Sequence, residues 1–126
     1  MRHFIAYHNQ EVMGYSCTAL TEPHVKTSNP VNLLEGVKVW LVAGEGKSPK
    51  AFFLAAMFIA ENCVTDFYPG SDLPNKISGT GKLFGKSIPI GRTPVYKLIR
   101  KDSSCHIRGF YETHDANIIS GLEALV

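Results

Sequence analysis

Short apolar runs separated by turn residues recur along the chain, and most of them predict strands. The segment 3–8 predicts a first strand. The segment 24–28 predicts a second, which ends before Asn29-Pro30 because a residue that precedes proline leaves the helical region. The clearest strand is 37–43, which is rich in β-branched side chains. The run 50–64 mixes strand and helix formers, and we interpret it as a strand in a hairpin with 37–43 because only a short loop separates the two.

Two later segments carry helix signals. Thr93 can cap a helix over 93–100, with Pro94 at its first helical position. Asp115 can cap a closing helix. The apolar residues of that closing helix fall on one face, at Ile118, Ile119, Leu122 and Leu125.

Between these segments, 105–111 predicts a last strand, whereas the glycine-rich stretch 77–90 predicts no regular element. The whole pattern predicts one α+β domain over residues 1–126. Its fold is expected to be a small twisted or barrel-like, mostly antiparallel sheet with short helices.

Composition narrows the class of protein. Hydrophobic residues make up 44% of the chain and charged residues 19%, which is ordinary for a globular domain and unlike a disordered chain. No apolar run approaches a membrane span, and the N-terminus has no secretory pattern. The three cysteines are widely spaced, so they predict reduced thiols in a cytoplasmic protein without a disulfide framework, metal or cofactor. These cysteines are Cys17, Cys63 and Cys105.

Charge is unevenly distributed along the chain. The net charge is only +2, yet residues 71–108 hold eight basic side chains against Asp72 and Asp102. Such a block indicates either a phosphate-binding face or a solvated surface that keeps the protein soluble. Its basic residues are Lys76, Lys82, Lys86, Arg92, Lys97, Arg100, Lys101 and Arg108.

Catalytic signatures are weak. Gly46-Lys47-Ser48 and Gly85-Lys86-Ser87 imitate the end of a phosphate-binding P-loop, but both lack its first glycine and neither opens a helix. The five histidines have no metal-binding spacing, and no local motif pairs a nucleophile with a base. The chain is therefore expected not to be an enzyme.

Aromatic side chains suggest a binding role. Tyr7, Tyr15 and Trp40 lie in or beside predicted strands, near polar and small residues. Reading an extruded base requires flat side chains for stacking and nearby donors for its edge. The alternative is that Trp40 belongs to the core, as most single strand tryptophans do.

Several short motifs, spread over nearly the whole chain, resemble one kind of domain. They are Tyr7-His8, Gly14-Tyr15, Thr27-Ser28-Asn29-Pro30, the tryptophan strand 40–46, the aromatic strand 52–59 and Ser78-Gly79-Thr80-Gly81. They are similar to the PUA-like or EVE-like specificity domains that precede HNH nuclease modules in modification-dependent restriction enzymes. One departure is Val37-Lys38, where those domains usually carry Asp-Arg.

The resemblance implies a base-flipping pocket beside a basic surface that grips phosphates. The pocket would be bordered by Tyr7, His8, Tyr15, Ser28, Trp40, Gly44, Glu45, Gly46, Lys47 and Ser48. Contacts to the phosphate backbone would come from Lys47, Lys50, Lys82, Lys86 and Arg92.

By the same resemblance, the chain is expected to be a non-catalytic DNA-binding module. It would recognise a modified base, with 5-methylcytosine and 5-hydroxymethylcytosine as the first candidates, and would be fused to or associated with an HNH nuclease. Three alternatives stay open: an RNA-binding PUA-like domain, a small nucleotide-processing enzyme, and a protein-interaction domain with an acidic partner.

Overall fold

One mixed sheet organises the chain in a computed structural model, which describes residues 1–28, 31, 34–47, 49–65, 73–102 and 110–126. Within these ranges the strands are β1 (His3–Asn9), β2 (His24–Thr27), β3 (Lys38–Glu45), β4 (Ala51–Val64), β5 (Asn75–Leu83) and β6 (Phe110–Thr113). The helices are α1 (Gln10–Met13), α2 (Pro94–Asp102) and α3 (Ala116–Glu123), with a 3₁₀ turn at Cys17–Ala19.

The sheet has the strand order β2-β5-β4-β3-β1-β6 and forms a half-barrel. Only β1 and β3 run parallel, and the other four neighbouring pairs are antiparallel. The predicted hairpin is confirmed, because β4 pairs with β3 from Lys38 opposite Ile59 to Glu45 opposite Ala51. The coarse prediction of an α+β, barrel-like, mostly antiparallel fold is thus confirmed.

Strand β5 lies inside the stretch that was expected to have no regular element. A Cβ atom at Gly79 would overlap the carbonyl oxygen of Ile59, and one at Gly81 would overlap that of Met57. Glycine is needed here because β4 and β5 approach each other closely, and the same glycines weaken the strand signal in the sequence. A steric requirement for glycine therefore explains why the sequence does not predict this strand.

Both faces of the sheet are covered. Phe4 and Leu41 belong to one core cluster, whereas Ile5 and Trp40 belong to a second cluster that also includes residues of α2 and α3. Strand β3 is buried at every position after Lys38, which explains its continuous apolar run. Neighbouring residues on a strand therefore pack into different core clusters.

Both predicted helices are confirmed. Thr93 Oγ1 accepts the backbone N–H of Tyr96 at 3.4 Å, and Asp115 Oδ1 accepts those of Asn117 and Ile118 at 2.8 and 3.3 Å. The predicted last strand overlaps β6 only at its end, since 103–109 lie outside the described residues. None of the helices in the described part of the chain is long and apolar enough to cross a membrane.

Candidate functional site

The sheet divides the predicted pocket residues between its two faces. Tyr7 and His8 are consecutive on β1, so their side chains point to opposite sides. Tyr7 packs in the helix-covered cluster against Phe52, with ring centroids 6.4 Å apart. His8 is buried on the other side, where its Nε2 lies 2.9 Å from the carbonyl oxygen of Tyr15 and its ring contacts that of Tyr15. Tyr7 therefore cannot share one pocket with His8 and Tyr15.

Trp40 does not border a pocket. Its side chain is fully buried between β3 and the helices, and the indole N–H donates to Nδ1 of His3 at 3.1 Å. The Lys38 ammonium lies 4.7 Å from the indole ring centroid and covers it further. The expectation that Trp40 stacks on a base is corrected, because a ring without exposed surface packs as core.

Glu45 has a structural contact set. It is buried at the end of β3, where its carboxylate accepts hydrogen bonds from Ser16 Oγ and, at 3.3 Å, from the backbone N–H of Cys17. Lys86 approaches the same carboxylate at 3.6 Å. We call this cluster of Ser16, Cys17, Glu45 and Lys86 the Glu45 clasp. It joins three segments of the chain, with the Glu45 carboxylate buried and the Lys86 side chain about half exposed.

Cys17 in the clasp is a poor nucleophile. Burial raises the pKa of its thiol, and the neighbouring Glu45 carboxylate raises it further. A thiol that stays protonated reacts slowly, since the thiolate is the attacking form. The clasp therefore supports structure better than it supports catalysis.

The turn between β3 and β4 contributes fewer side chains to a pocket than the sequence predicts. Gly44 lies beneath Tyr7, because a Cβ atom there would overlap the tyrosine hydroxyl. The Gly46 N–H donates to Gln10 Oε1 at 2.7 Å, Lys47 is exposed, and Ser48 lies outside the described residues. Ser28 is exposed just after β2, an edge strand. The turn is thus tied to the β1–α1 junction.

A cavity of about 660 Å³ opens between the start of β4 and the beginning of α2. Its volume falls in the range of small-ligand sites. Two residues predicted to contact phosphate, Lys50 and Arg92, line it. The described residues around this aromatic pocket are Pro49, Lys50, Ala51, Phe52, Phe53, Pro89, Gly91, Arg92, Thr93, Tyr96 and Arg100.

Flat rings form one wall of the aromatic pocket. The Phe52 and Tyr96 ring centroids are 4.7 Å apart at an interplanar angle of 31°. Burial raises the pKa of the Tyr96 phenol and also that of Tyr7, so both rings stay neutral at physiological pH. Phe52 is only partly buried and offers the more accessible face.

Three cationic side chains reach the aromatic pocket from three different segments. The Arg100 guanidinium carbon lies 5.9 Å from the Tyr96 ring centroid, one helical turn further along α2. Arg92 is exposed and forms no ion pair with any described residue. Lys50 Nζ lies 3.0 Å from Glu11 Oε1 and 3.1 Å from Asn9 Oδ1.

Further basic residues outside the aromatic pocket lie on two different elements, α2 and β5. Lys97 and Lys101 are exposed on α2 and extend the positive surface away from Arg100. Lys82 is exposed on β5 and does not line the pocket.

The sequence interpretation missed Phe52, Tyr96 and Arg100 as site residues. The available signal was the spacing of Tyr96 and Arg100, which places them on one face of a helix.

Metal binding finds no support among the described residues, because no three His, Cys, Asp or Glu side chains are grouped to hold an ion. Comparison with known proteins adds no family: no protein-family model matches the chain, and neither does any curated protein. The candidate site therefore rests on its own geometry.

Proposed function

We propose that this chain is a DNA-binding domain that recognises a single base after the base has swung out of the duplex into the aromatic pocket. The observation that carries the proposal is the joint placement of two contacting rings and two arginines, Arg92 and Arg100, around one cavity of about 660 Å³. An extruded nucleotide has the matching parts, a flat base and flanking phosphates.

Stacking supports the base part of the proposal. Phe52 is partly exposed at the start of β4, and its packing against Tyr96 and Tyr7 fixes its orientation. A base that stacks on such a ring gains about 1–3 kcal/mol. A rigid ring loses little conformational freedom on binding, so most of that gain is kept.

Charge supports the phosphate part. Arg92 and Arg100 line the cavity, and Lys97 and Lys101 continue the positive surface along α2. Each cation that neutralises a phosphate releases counterions, so affinity should fall as salt rises. The predicted phosphate contacts Lys82 and Lys86 lie outside the lining of the aromatic pocket, and Lys86 approaches Glu45 at 3.6 Å.

The sequence resemblance supports the finer parts of the proposal. It favours a PUA-like reader of a modified base, with 5-methylcytosine and 5-hydroxymethylcytosine as first candidates and an HNH nuclease as a fused or associated partner. Under this proposal the domain supplies recognition, and cleavage belongs to the partner.

Filling the aromatic pocket tests the proposal. A Cβ atom at Gly91 would lie 3.9 Å from the Phe52 Cβ, an ordinary contact, so Gly91→Leu adds bulk beside Phe52 without crowding the backbone. We expect this variant to bind labelled duplexes at least about tenfold more weakly in fluorescence anisotropy, as the loss of one stacked base predicts. The matched control is Ala124→Leu, which adds bulk at an exposed position outside the pocket lining and should change affinity less than twofold.

The probes for this test are duplexes of one sequence with cytosine, 5-methylcytosine or 5-hydroxymethylcytosine at one position, and a hairpin RNA. A preference for a modified duplex that Gly91→Leu abolishes supports the whole proposal. Unchanged binding by a folded Gly91→Leu variant overturns the pocket. A preference for the RNA favours the RNA-binding alternative instead.

A further inference from the structure

Lys50 differs from Arg92 in the aromatic pocket because its charge is balanced by a neighbouring carboxylate. Its ammonium nitrogen lies 3.0 Å from Oε1 of Glu11 and 3.1 Å from Oδ1 of Asn9. Arg92 lines the same cavity and forms no ion pair with a described residue. One cation of the pocket is therefore already neutralised by an anion from the chain itself.

Glu11 lies in the first turn of α1, directly after β1. Burial raises the pKa of the Tyr7 phenol, and the charge of Glu11 raises it further. Tyr7 packs against Phe52 in the wall of the pocket. The carboxylate therefore lies close to the wall as well as to Lys50, and an anion that approaches Lys50 meets a charge of its own sign.

Asn9 and Glu11 contribute differently at Lys50. An ammonium group has three N–H donors, and these two side chains accept from two of them. Asn9 Oδ1 is a neutral acceptor that also accepts the backbone N–H of Glu11 at 3.1 Å, so its position is fixed at the start of α1. Asn9 can hold Lys50 at the pocket after Glu11 has left, whereas Glu11 cancels its charge.

The ion pair can be broken at low cost. The side chains of Lys50 and Glu11 are 24% and 40% exposed, and pairs with this much contact with water are weak. Helix α1 has four residues and none of them is buried, so Glu11 can turn away without disturbing the core. A phosphate of the DNA backbone carries the same negative charge as a carboxylate and can take its place.

We infer that Glu11 is a competitor for DNA that is built into the binding site: its carboxylate occupies the ammonium group of Lys50, and a phosphate of the bound DNA displaces it. This inference rests on the proposed function and concerns the regulation of that same site. Glu11 lowers the affinity for DNA, because each binding event must break the ion pair.

Glu11→Gln tests the competition, since glutamine has nearly the same shape and can still accept from Lys50 but carries no charge. We expect this variant to bind a labelled duplex at least about threefold more tightly than the wild type at low salt in fluorescence anisotropy. The dependence of log affinity on log salt should become steeper by up to about one unit, because Lys50 then neutralises a phosphate without a competitor. Loss of folding cannot produce such a gain.

Two controls separate competition at Lys50 from a change in net charge. Glu22→Gln changes the net charge equally, and it removes an exposed carboxylate that pairs with Lys76 at 3.1 Å outside the lining of the aromatic pocket. It should change affinity less than about twofold. The double variant Glu11→Gln/Lys50→Gln should bind within about twofold of the wild type, because the gain requires Lys50.

The outcomes distinguish the inference from the proposed function. Unchanged or weaker binding by Glu11→Gln, or an equal gain in Glu22→Gln, overturns the competition, and so does a gain that persists in the double variant. If Gly91→Leu still weakens binding in those cases, the proposed function stands. Absence of DNA binding by the wild type overturns the proposed function and the inference with it.

Discussion

The two faces of the sheet use charge in different ways. In the Glu45 clasp, a buried carboxylate meets Ser16, the Cys17 backbone and Lys86, so its bonding capacity is used within the protein. On the other face, Arg92 and Arg100 line an open cavity whose described side chains include no carboxylate. Removing a buried charge whose partners lie inside the protein leaves those partners unpaired, whereas charges that line an open cavity can contact a ligand. This contrast supports the proposal that ligand binding takes place on the face with the aromatic pocket.

Removing the carboxylate of the clasp should have the largest effect. Glu45→Ala leaves two donors, Ser16 Oγ and the Cys17 N–H, without their acceptor in a buried site, and we expect a loss of about 2–4 kcal/mol in the free energy of unfolding. Urea denaturation measures this loss. The control is Glu22→Gln, which removes an exposed ion pair with Lys76 and should cost less than about 1 kcal/mol. A loss below that figure for Glu45→Ala would contradict the structural role of the clasp.

The next prediction compares the effects of Arg92 and Lys86 on the affinity for DNA. Arg92→Gln should weaken binding about fivefold and make the dependence of log affinity on log salt shallower by about one unit, because one phosphate contact is lost. Lys86→Gln should leave both quantities nearly unchanged, since Lys86 pairs with Glu45. Anisotropy titrations at several salt concentrations provide the measurement. Equal effects of the two substitutions would remove the distinction between the faces.

The smallest expected effect is on the pH dependence of stability. Burial, together with the charge of Lys38, lowers the pKa of His3 below its usual 6.5, and Trp40 donates to the unprotonated Nδ1 of this histidine. The unfolded chain then takes up the proton more readily than the folded one. The contribution of neutral His3 to the free energy of unfolding is therefore complete above about pH 6.5. It is lost as the pH falls towards the pKa of His3 in the folded state.

Tryptophan fluorescence can follow this change, because Trp40 is the only tryptophan in the chain. We expect the urea midpoint to fall between about pH 7.5 and pH 5.5 and to fall less in His3→Gln. His24 also has a lowered pKa, owing first to burial, so it should retain part of the decrease in that variant. An identical decrease in wild type and His3→Gln would show that His3 has no part in it.

Local patterns were sufficient for most elements of the fold. Thr93 and Asp115 marked helix starts through their own side chains, and a short loop connected β3 to β4. Strand β5 was missed because Gly79 and Gly81 carry no β-forming side chain, although they are required for close approach to β4. Whether such glycines indicate a loop or a tight strand depends on the neighbouring strand.

The candidate site was less predictable. Alternation along β1 is by itself enough to place Tyr7 and His8 on opposite faces of the sheet. The burial of Trp40 depends on how α2 and α3 cover β3, and the contact of Phe52 with Tyr96 joins elements that are distant in the sequence. Such long-range packing leaves no local pattern, so only Lys50 and Arg92 of the pocket were anticipated.

The position of β1 has a consequence for the order of folding. This strand lies between β3 and β6, so the first strand of the chain needs one neighbour from its middle and another from residues 110–113. During synthesis, β1 keeps one hydrogen-bonding edge open until β6 has emerged. An open edge can pair with other chains, so a fragment that ends before residue 110 should aggregate more readily than the full sequence.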